Sequence, residues 1–304
     1  MKIETKGKSR FAGKTTGVLS FVDMKKPGNK VIYWAMFVLM VTVALVCVLP
    51  PLYILISSFK TTRELMQIPI QIFPEEWSID KFVKIWNNLD FGTYYLNTFK
   101  IIIGSILFSI LSNGLAGYVI SCLKPRGSAL YATLILWTML LPSTLSFVAS
   151  FQNMVDMPIT HWNLTNTYWP MWFSSGANAF QILLYKNFFD SIPRALVEAA
   201  TLDGAGKAKI FTKIILPLSV PIISVDAIFT MTGCWGDFMF PYLILTDNKK
   251  KTVMLAIYNM SIGQKYSIDE QLVGIVFSIV PPIILFFFLQ KYIMGGLTLG
   301  GVKE

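Results

Sequence analysis

Three side chains that could hold a polar solute, Asp226, Thr230 and Asp237, share an otherwise apolar stretch with Gly233. Their offsets of 0, 4, 7 and 11 put them on one face of a helix. Ser174, Asn178, Gln181 and Tyr185 repeat the same offsets in another stretch, and Ser105, Ser109 and Ser112, beside Asn113, form a third stripe. Such groups, with aromatic rings such as Trp235, Tyr242, Trp172 and Tyr118, suit a hydroxylated solute. The competing reading of each stripe is helix–helix packing, in which Ser and Gly permit close approach. For the serine stripe, near Gly114 and Gly117, packing is the favoured reading. For the two aspartates a path or interface role is favoured, because a carboxylate is costly in lipid. A Lys or Arg of a partner could equally pair with Asp226. Trp235 and its aromatic neighbours also fit an interfacial belt.

Catalysis finds little support. His161 is the sole histidine and has no His or Cys near it. Cys47, Cys122 and Cys234 sit in or beside apolar runs and read as small hydrophobes. No metal site or acid–base pair is expected. "GKTTG" at 13–17 ends like a phosphate-binding loop, but Lys8 stands where the first glycine is required. The chain is therefore expected to bind no nucleotide itself.

The elements that carry these stripes are membrane spans. Of 304 residues, 54% are hydrophobic and only 14% charged, and mean hydropathy is +0.57. That balance is unlike a soluble domain, so the net charge of +9 is assigned to loop lysines and not to nucleic-acid binding. Six spans are predicted, at about 31–58, 95–123, 128–152, 167–187, 217–243 and 268–292, each long enough to cross a bilayer. The fold class is all-α, with a cytoplasmic tail at 1–30, a membrane domain at 31–292 and a second tail at 293–304. With both termini on one side, 17 of the 26 Lys and Arg residues fall on that face, which marks it as cytoplasmic. The "NKKK" run at 248–251 is a local exception. Counting from Pro217 along one straight helix, Asp226 lies ~14 Å and Asp237 ~30 Å away, near mid-membrane and near the outer mouth.

Between the fourth and fifth spans, within a loop at 188–216, lies "EAATLDGAGKAKIFTKIILPLSVP", from Glu198 to Pro221. Ser191 and Pro193 are suited to start a helix over 193–203, Gly204 and Gly206 to turn the chain, and Ile210, Phe211, Ile214 and Ile215 to form an apolar stripe on a second helix. Physics alone leaves two readings open: an amphipathic elbow lying on the membrane, or a docking element for a cytoplasmic partner.

That stretch resembles the EAA motif of ABC-importer permeases. Glu198, Ala199, Ala200, Gly204, Ile214, Leu216 and Pro217 hold its places, and Asp203 and Ala205 match its D-G-A variant. "YYLNTF", "LLP" at 140–142, "WGDFMFPYLIL" and "QKYIMGGLTLGGVKE" extend the likeness to MalG-type subunits of carbohydrate importers over about two-thirds of the chain. Gly236 departs from the family, which often has Asn there.

The resemblance implies a permease subunit of an ATP-driven, binding-protein-dependent importer in the bacterial cytoplasmic membrane. Its implied partners are a second, similar permease, two ATP-binding subunits that carry ATP and Mg, and an extracytoplasmic solute-binding protein that delivers an oligosaccharide. Glu198–Ala205 would be the coupling helix. The 244–267 loop would reach the binding protein, and "GGVKE" would contact the ATPase pair. A secondary transporter of a small polar solute is the alternative, but no repeated halves are visible.

Overall fold

The computed structural model describes residues 27–263 and 265–299, so "GKTTG" and "GGVKE" lie outside the described residues. It contains helices and no strands among those residues. Residues Met1–Ile56 and Ser57–Glu304 form separate compact units. The first contains most of α1 (Pro27–Ser57), an apolar helix of spanning length that continues through Pro50 and Pro51.

The second unit is built around α4 (Phe91–Tyr118), which ends in a π turn over Val119–Leu123. Two further segments, Phe91–Leu123 and the helix starting at Ile268, are long and apolar enough to span. The other predicted spans are broken, each for a local reason. Residues 128–152 form α5 (Ser128–Thr138), a 3₁₀ turn and α6 (Phe147–Val155). Pro142 cannot donate a helical hydrogen bond and disfavours helix in Leu141. Residues 167–187 split into α7 (Trp169–Ser175) and α8 (Ala179–Asp190), with Asn178 capping α8 by accepting from Gln181 N at 3.1 Å.

The expected fifth span is likewise not one helix. After α9 (Arg194–Leu202), α10 (Lys207–Ile210), a π turn and α11 (Leu216–Leu218), the chain bends by 78° at Ser219 into α12 (Val220–Gly236). Pro217 and Pro221 flank that bend and remove the donors that would carry a straight helix across it. The depth estimates counted from Pro217 therefore do not hold. Asp237 lies past the helix end, before α13 (Met239–Ile244).

α4 packs along α7, α8 and α12. Gly117 makes the α4–α8 approach possible, since a Cβ there would stand 2.7 Å from Tyr185 Cβ. Polar side chains from α4, α8 and α12 then meet in a buried interior. Asp226 is fully buried. Tyr185 OH donates to its Oδ2 at 2.9 Å, and Ser109 Oγ lies 2.9 and 3.0 Å from its two oxygens. Asn113 Nδ2 donates to Ser109 Oγ at 2.9 Å and to Gln181 Oε1 at 3.0 Å. Gln181 Nε2 donates to Thr230 Oγ1 at 2.7 Å. Each helix thus satisfies polar groups of the other two.

At the end opposite α9, the segment before α4 is folded. It contains α2 (Thr62–Leu65) and α3 (Asp80–Leu89). The final helix, α15 (Ile268–Leu299), continues past residue 292 and is held to α3 by Lys81–Asp269 and Lys84–Glu270, both at 3.0 Å. Before it, α14 (Val253–Ile262) buries Val253, Leu255 and Met260. The "NKKK" run is fixed through its backbone: Asn97 Nδ2 donates to the carbonyls of Lys249 and Lys251 at 2.7 and 3.1 Å.

Glu64 anchors this end. Its Oε1 accepts from Glu75 N at 2.7 Å and its Oε2 from Thr61 N at 2.6 Å. Those two backbone donors hold its carboxyl below the usual range. A carboxyl depressed in the folded state stabilises that state above its unfolded pKa of about 4.5, and the contribution fades as pH falls through the lower, folded value. Hydrogen-exchange protection factors at Thr61 and Glu75, taken relative to the intrinsic rates at each pH, should therefore be high at pH 7 and drop as the Glu64 carboxyl is protonated, and Glu64→Ala should have low protection at either pH.

The interior network gives a second test. Asp226→Ala would strand the Tyr185 hydroxyl, at about 1–3 kcal/mol for a group left unpaired, while Ser109 Oγ can still donate to Gln181 Oε1 at 3.1 Å. Asp226→Asn keeps an acceptor for Tyr185. Thermal unfolding in detergent should show a Tm several degrees lower for Asp226→Ala, with Asp226→Asn between it and the parent chain.

Candidate functional site

The elbow is assembled from α9 and α10. Ala205 N donates to Ala200 O at 2.9 Å and Gly204 N to Thr201 O at 3.0 Å. This is a Schellman closure, with Gly204 at the left-handed position, φ +75°. A Cβ at Gly204 would meet no atom within 4 Å, so the requirement for glycine is conformational, not steric. Ala200 and Ala205 form the small apolar contact that accompanies such a closure. Gly206 has φ −68° and needs no such freedom.

Ser191 does not cap α9. Its hydroxyl donates to Phe188 O at 2.6 Å, closing α8, and Pro193 takes the cap position.

The apolar stripe faces inward. Ile210, Phe211 and Ile215 are buried with Tyr118, Tyr185 and Phe189. Burial of each such side chain contributes about 1.5–3 kcal/mol. Tyr118, considered above as a solute platform, instead packs on Phe211 with centroids 5.0 Å apart and donates to Lys207 O at 3.2 Å. The opposite face of the elbow is left open. Glu198, Ala199, Asp203 and Gly204 are exposed, and Leu202 is 89% exposed. Leu202 was not singled out from sequence; its place directly before the D-G-A run was the available signal.

A second feature is a cavity of about 320 Å³. Asn178, Gln181, Thr230 and Asp237 line it together, with Gly233 and the rings of Phe180, Phe229 and Phe240. The Asp237 Oδ1 accepts from Phe240 N at 3.2 Å, which aims the carboxyl from the end of α12. Asp226 and Trp235 are not part of this lining. Asp226 is enclosed by Ser109 and Tyr185, and Trp235 is buried, donating through Nε1 to Ser278 O at 3.1 Å. Of the rings on the cavity wall, Phe180 and Phe229 stand 5.3 Å apart and edge to face, and sequence reasoning missed both. Phe229 precedes Gly233 by one helical turn, so the polar stripe had an aromatic edge that polarity alone did not reveal.

The arrangement joins the elbow to the polar cavity through α8. α8 carries Gln181 at the chamber and Tyr185 in the network, then runs directly toward the elbow. Among the described residues, no cluster of three or more His, Cys, Asp or Glu could hold a metal ion.

Comparison with known proteins places this geometry. A family model described as "Binding-protein-dependent transport system inner membrane component" matches residues 114–297. The arabinooligosaccharides transport system permease protein AraQ of Halalkalibacterium halodurans is 28% identical over 283 residues, covering 92% of this chain and all of that relative. The polygalacturonan/rhamnogalacturonan transport system permease protein YtcP of Bacillus subtilis is 28% identical, covering 86% of this chain and 94% of the relative. A crystal structure of a bacterial ABC transporter involved in import of the acidic polysaccharide alginate contains a chain of the same fold, with TM-score 0.76 and 23% identity over 88% of this chain and 98% of that one. Elbow, broken spans and family match agree: the chain belongs to the inner membrane components of binding-protein-dependent transport systems, the permease subunits of ABC importers.

Proposed function

We propose that this chain is one of two permease halves of an importer that carries an oligosaccharide across the bacterial cytoplasmic membrane. The reading rests on the elbow: a rigid, glycine-closed turn whose inner face is packed on α4 and α8 and whose outer face is open. The outer face, Glu198 through Ala205, docks on an ATP-binding subunit, where Leu202 enters an apolar recess and Glu198 meets a basic group. The N- and C-termini share the elbow's side, the cytoplasm. The opposite end, including 244–267, faces the solute-binding protein, and the cavity at Asn178, Gln181, Thr230 and Asp237 lies on the solute's path. ATP and Mg are held by the two ATPase subunits. Relatives that belong to arabinooligosaccharide and polygalacturonan/rhamnogalacturonan transport systems support the sugar class.

The Schellman closure supplies the test. Asn adopts the left-handed conformation more readily than other non-glycine residues, whereas a β-branched residue does not. Gly204→Asn should retain most binding-protein-stimulated ATPase activity in proteoliposomes. Gly204→Val should lose at least about tenfold, from a strain of roughly 1–2 kcal/mol that misplaces the docking face. Both variants should insert at normal levels. Full stimulation in Gly204→Val would remove the elbow from the coupling path.

A further inference from the structure

Two backbone N–H groups fix the polarity of the cavity wall. Asn178 N donates to Asn113 Oδ1 at 3.1 Å, so the Asn113 Nδ2 must face Ser109 and Gln181. Gln181 Oε1 then faces Asn113, and its Nε2 faces Thr230 Oγ1. Gln181 N donates to Asn178 Oδ1 at 3.1 Å, which turns the Asn178 Nδ2 away from the helix end. A backbone donor cannot be flipped, so none of these carboxamides is free to reverse.

The consequence is a wall of donors. The second N–H of Gln181 Nε2, the Thr230 hydroxyl proton and both protons of Asn178 Nδ2 remain for a ligand. Asp237, whose Oδ1 already accepts from Phe240 N, lines the same cavity. It is the single ionisable carboxyl among the described lining residues, and no Lys or Arg joins it there. The remaining wall is largely apolar, with Phe180, Phe229 and Phe240.

We propose that this cavity selects neutral saccharide units over uronate-bearing ones, because neutral donors face a lone carboxylate with no cation beside it. This deepens, and rests on, the reading that the cavity lies on the transport path. A sugar hydroxyl both donates and accepts, so it bridges Asp237 and the donor wall. A uronate carboxylate only accepts. In this setting it would give up its water for neutral donors and sit near a like charge, with no guanidinium or ammonium to offset either cost. The relatives include carriers of both kinds of chain, so family membership leaves the choice open.

The test uses the complete purified transporter without its solute-binding protein, so that prior selection is absent. Saturation-transfer difference NMR is recorded with galactotriose and with trigalacturonate. Galactotriose should bind, and trigalacturonate should bind roughly tenfold more weakly or not at all. Asp237→Asn should narrow the gap, strengthening trigalacturonate relative to galactotriose. Equal or tighter trigalacturonate binding by the parent complex would overturn the selectivity while leaving the transport-path reading intact. A gap unchanged in Asp237→Asn would overturn the role given to Asp237. If neither sugar bound, both the selectivity and the transport-path reading would fall.

Discussion

The fully buried Asp226 carboxyl, shared by α4, α8 and α12, is the constraint on which the rest of this unit depends. A carboxyl in an apolar interior is tolerable only where donors surround it. Tyr185 and Ser109 are those donors, and they fix α8 and α4 in register with α12. The same serine is tied through Asn113 and Gln181 to Thr230, so the network closes on itself across three helices. In lipid, where apolar helix faces gain little from meeting one another, such hydrogen bonds and close contacts carry the association. The Gly117–Tyr185 contact completes it, because any side chain at 117 would separate the helices whose polar groups must meet.

This interior connects two functional ends. Tyr185 lies between Gln181 at the chamber and Phe189 at the elbow core, all on α8. Tyr118 does the same for α4, leaving the polar interior and clamping the elbow through Phe211 and Lys207. A displacement of the elbow would, on the proposed reading, reach the cavity through packed rings and a closed hydrogen-bond set. It need not pass through a flexible loop. The breaks in the chain are themselves packed into this block: the 78° bend at Ser219 lies between the buried Ile215 and Ile222, with Ser219 Oγ donating to Ile215 O, and the interruption before α8 is capped by Asn178.

Some of this was legible in the sequence. The Glu198–Ala205 spacing specifies a helix ended by a left-handed residue, and Gly204 adopts that conformation because local backbone chemistry alone demands it. The stripes on spans two, four and five marked polar faces, but not which helices those faces would meet. Hydropathy could not show that residues 128–152 are broken, because a proline after a run of leucines barely changes an average. Nor could spacing tell Asp226 from Asp237. Spacing assigns both to one helical face, whereas in the structure Tyr185 and Ser109, distant in sequence, enclose Asp226, and Asp237 lies past the end of α12 at the cavity. Trp235 and Tyr118 were attractive as sugar platforms by type, yet each carries a polar tip that a backbone carbonyl could satisfy inside the bundle. The phenylalanines, with no such tip, line the cavity.

The central claim is that elbow and chamber form one rigid body. Pulsed electron–electron resonance between spin labels at Ala177 and Lys209 tests it most directly, in the assembled transporter with Cys47, Cys122 and Cys234 replaced by serine. Both labelled positions are exposed, one beside the chamber and the other on the elbow. The account predicts the same distance distribution in the nucleotide-free and ATP-bound states, while distances to the partner permease change. A shift of the Ala177–Lys209 distance between those states would show that the elbow hinges on its own, and would contradict the account.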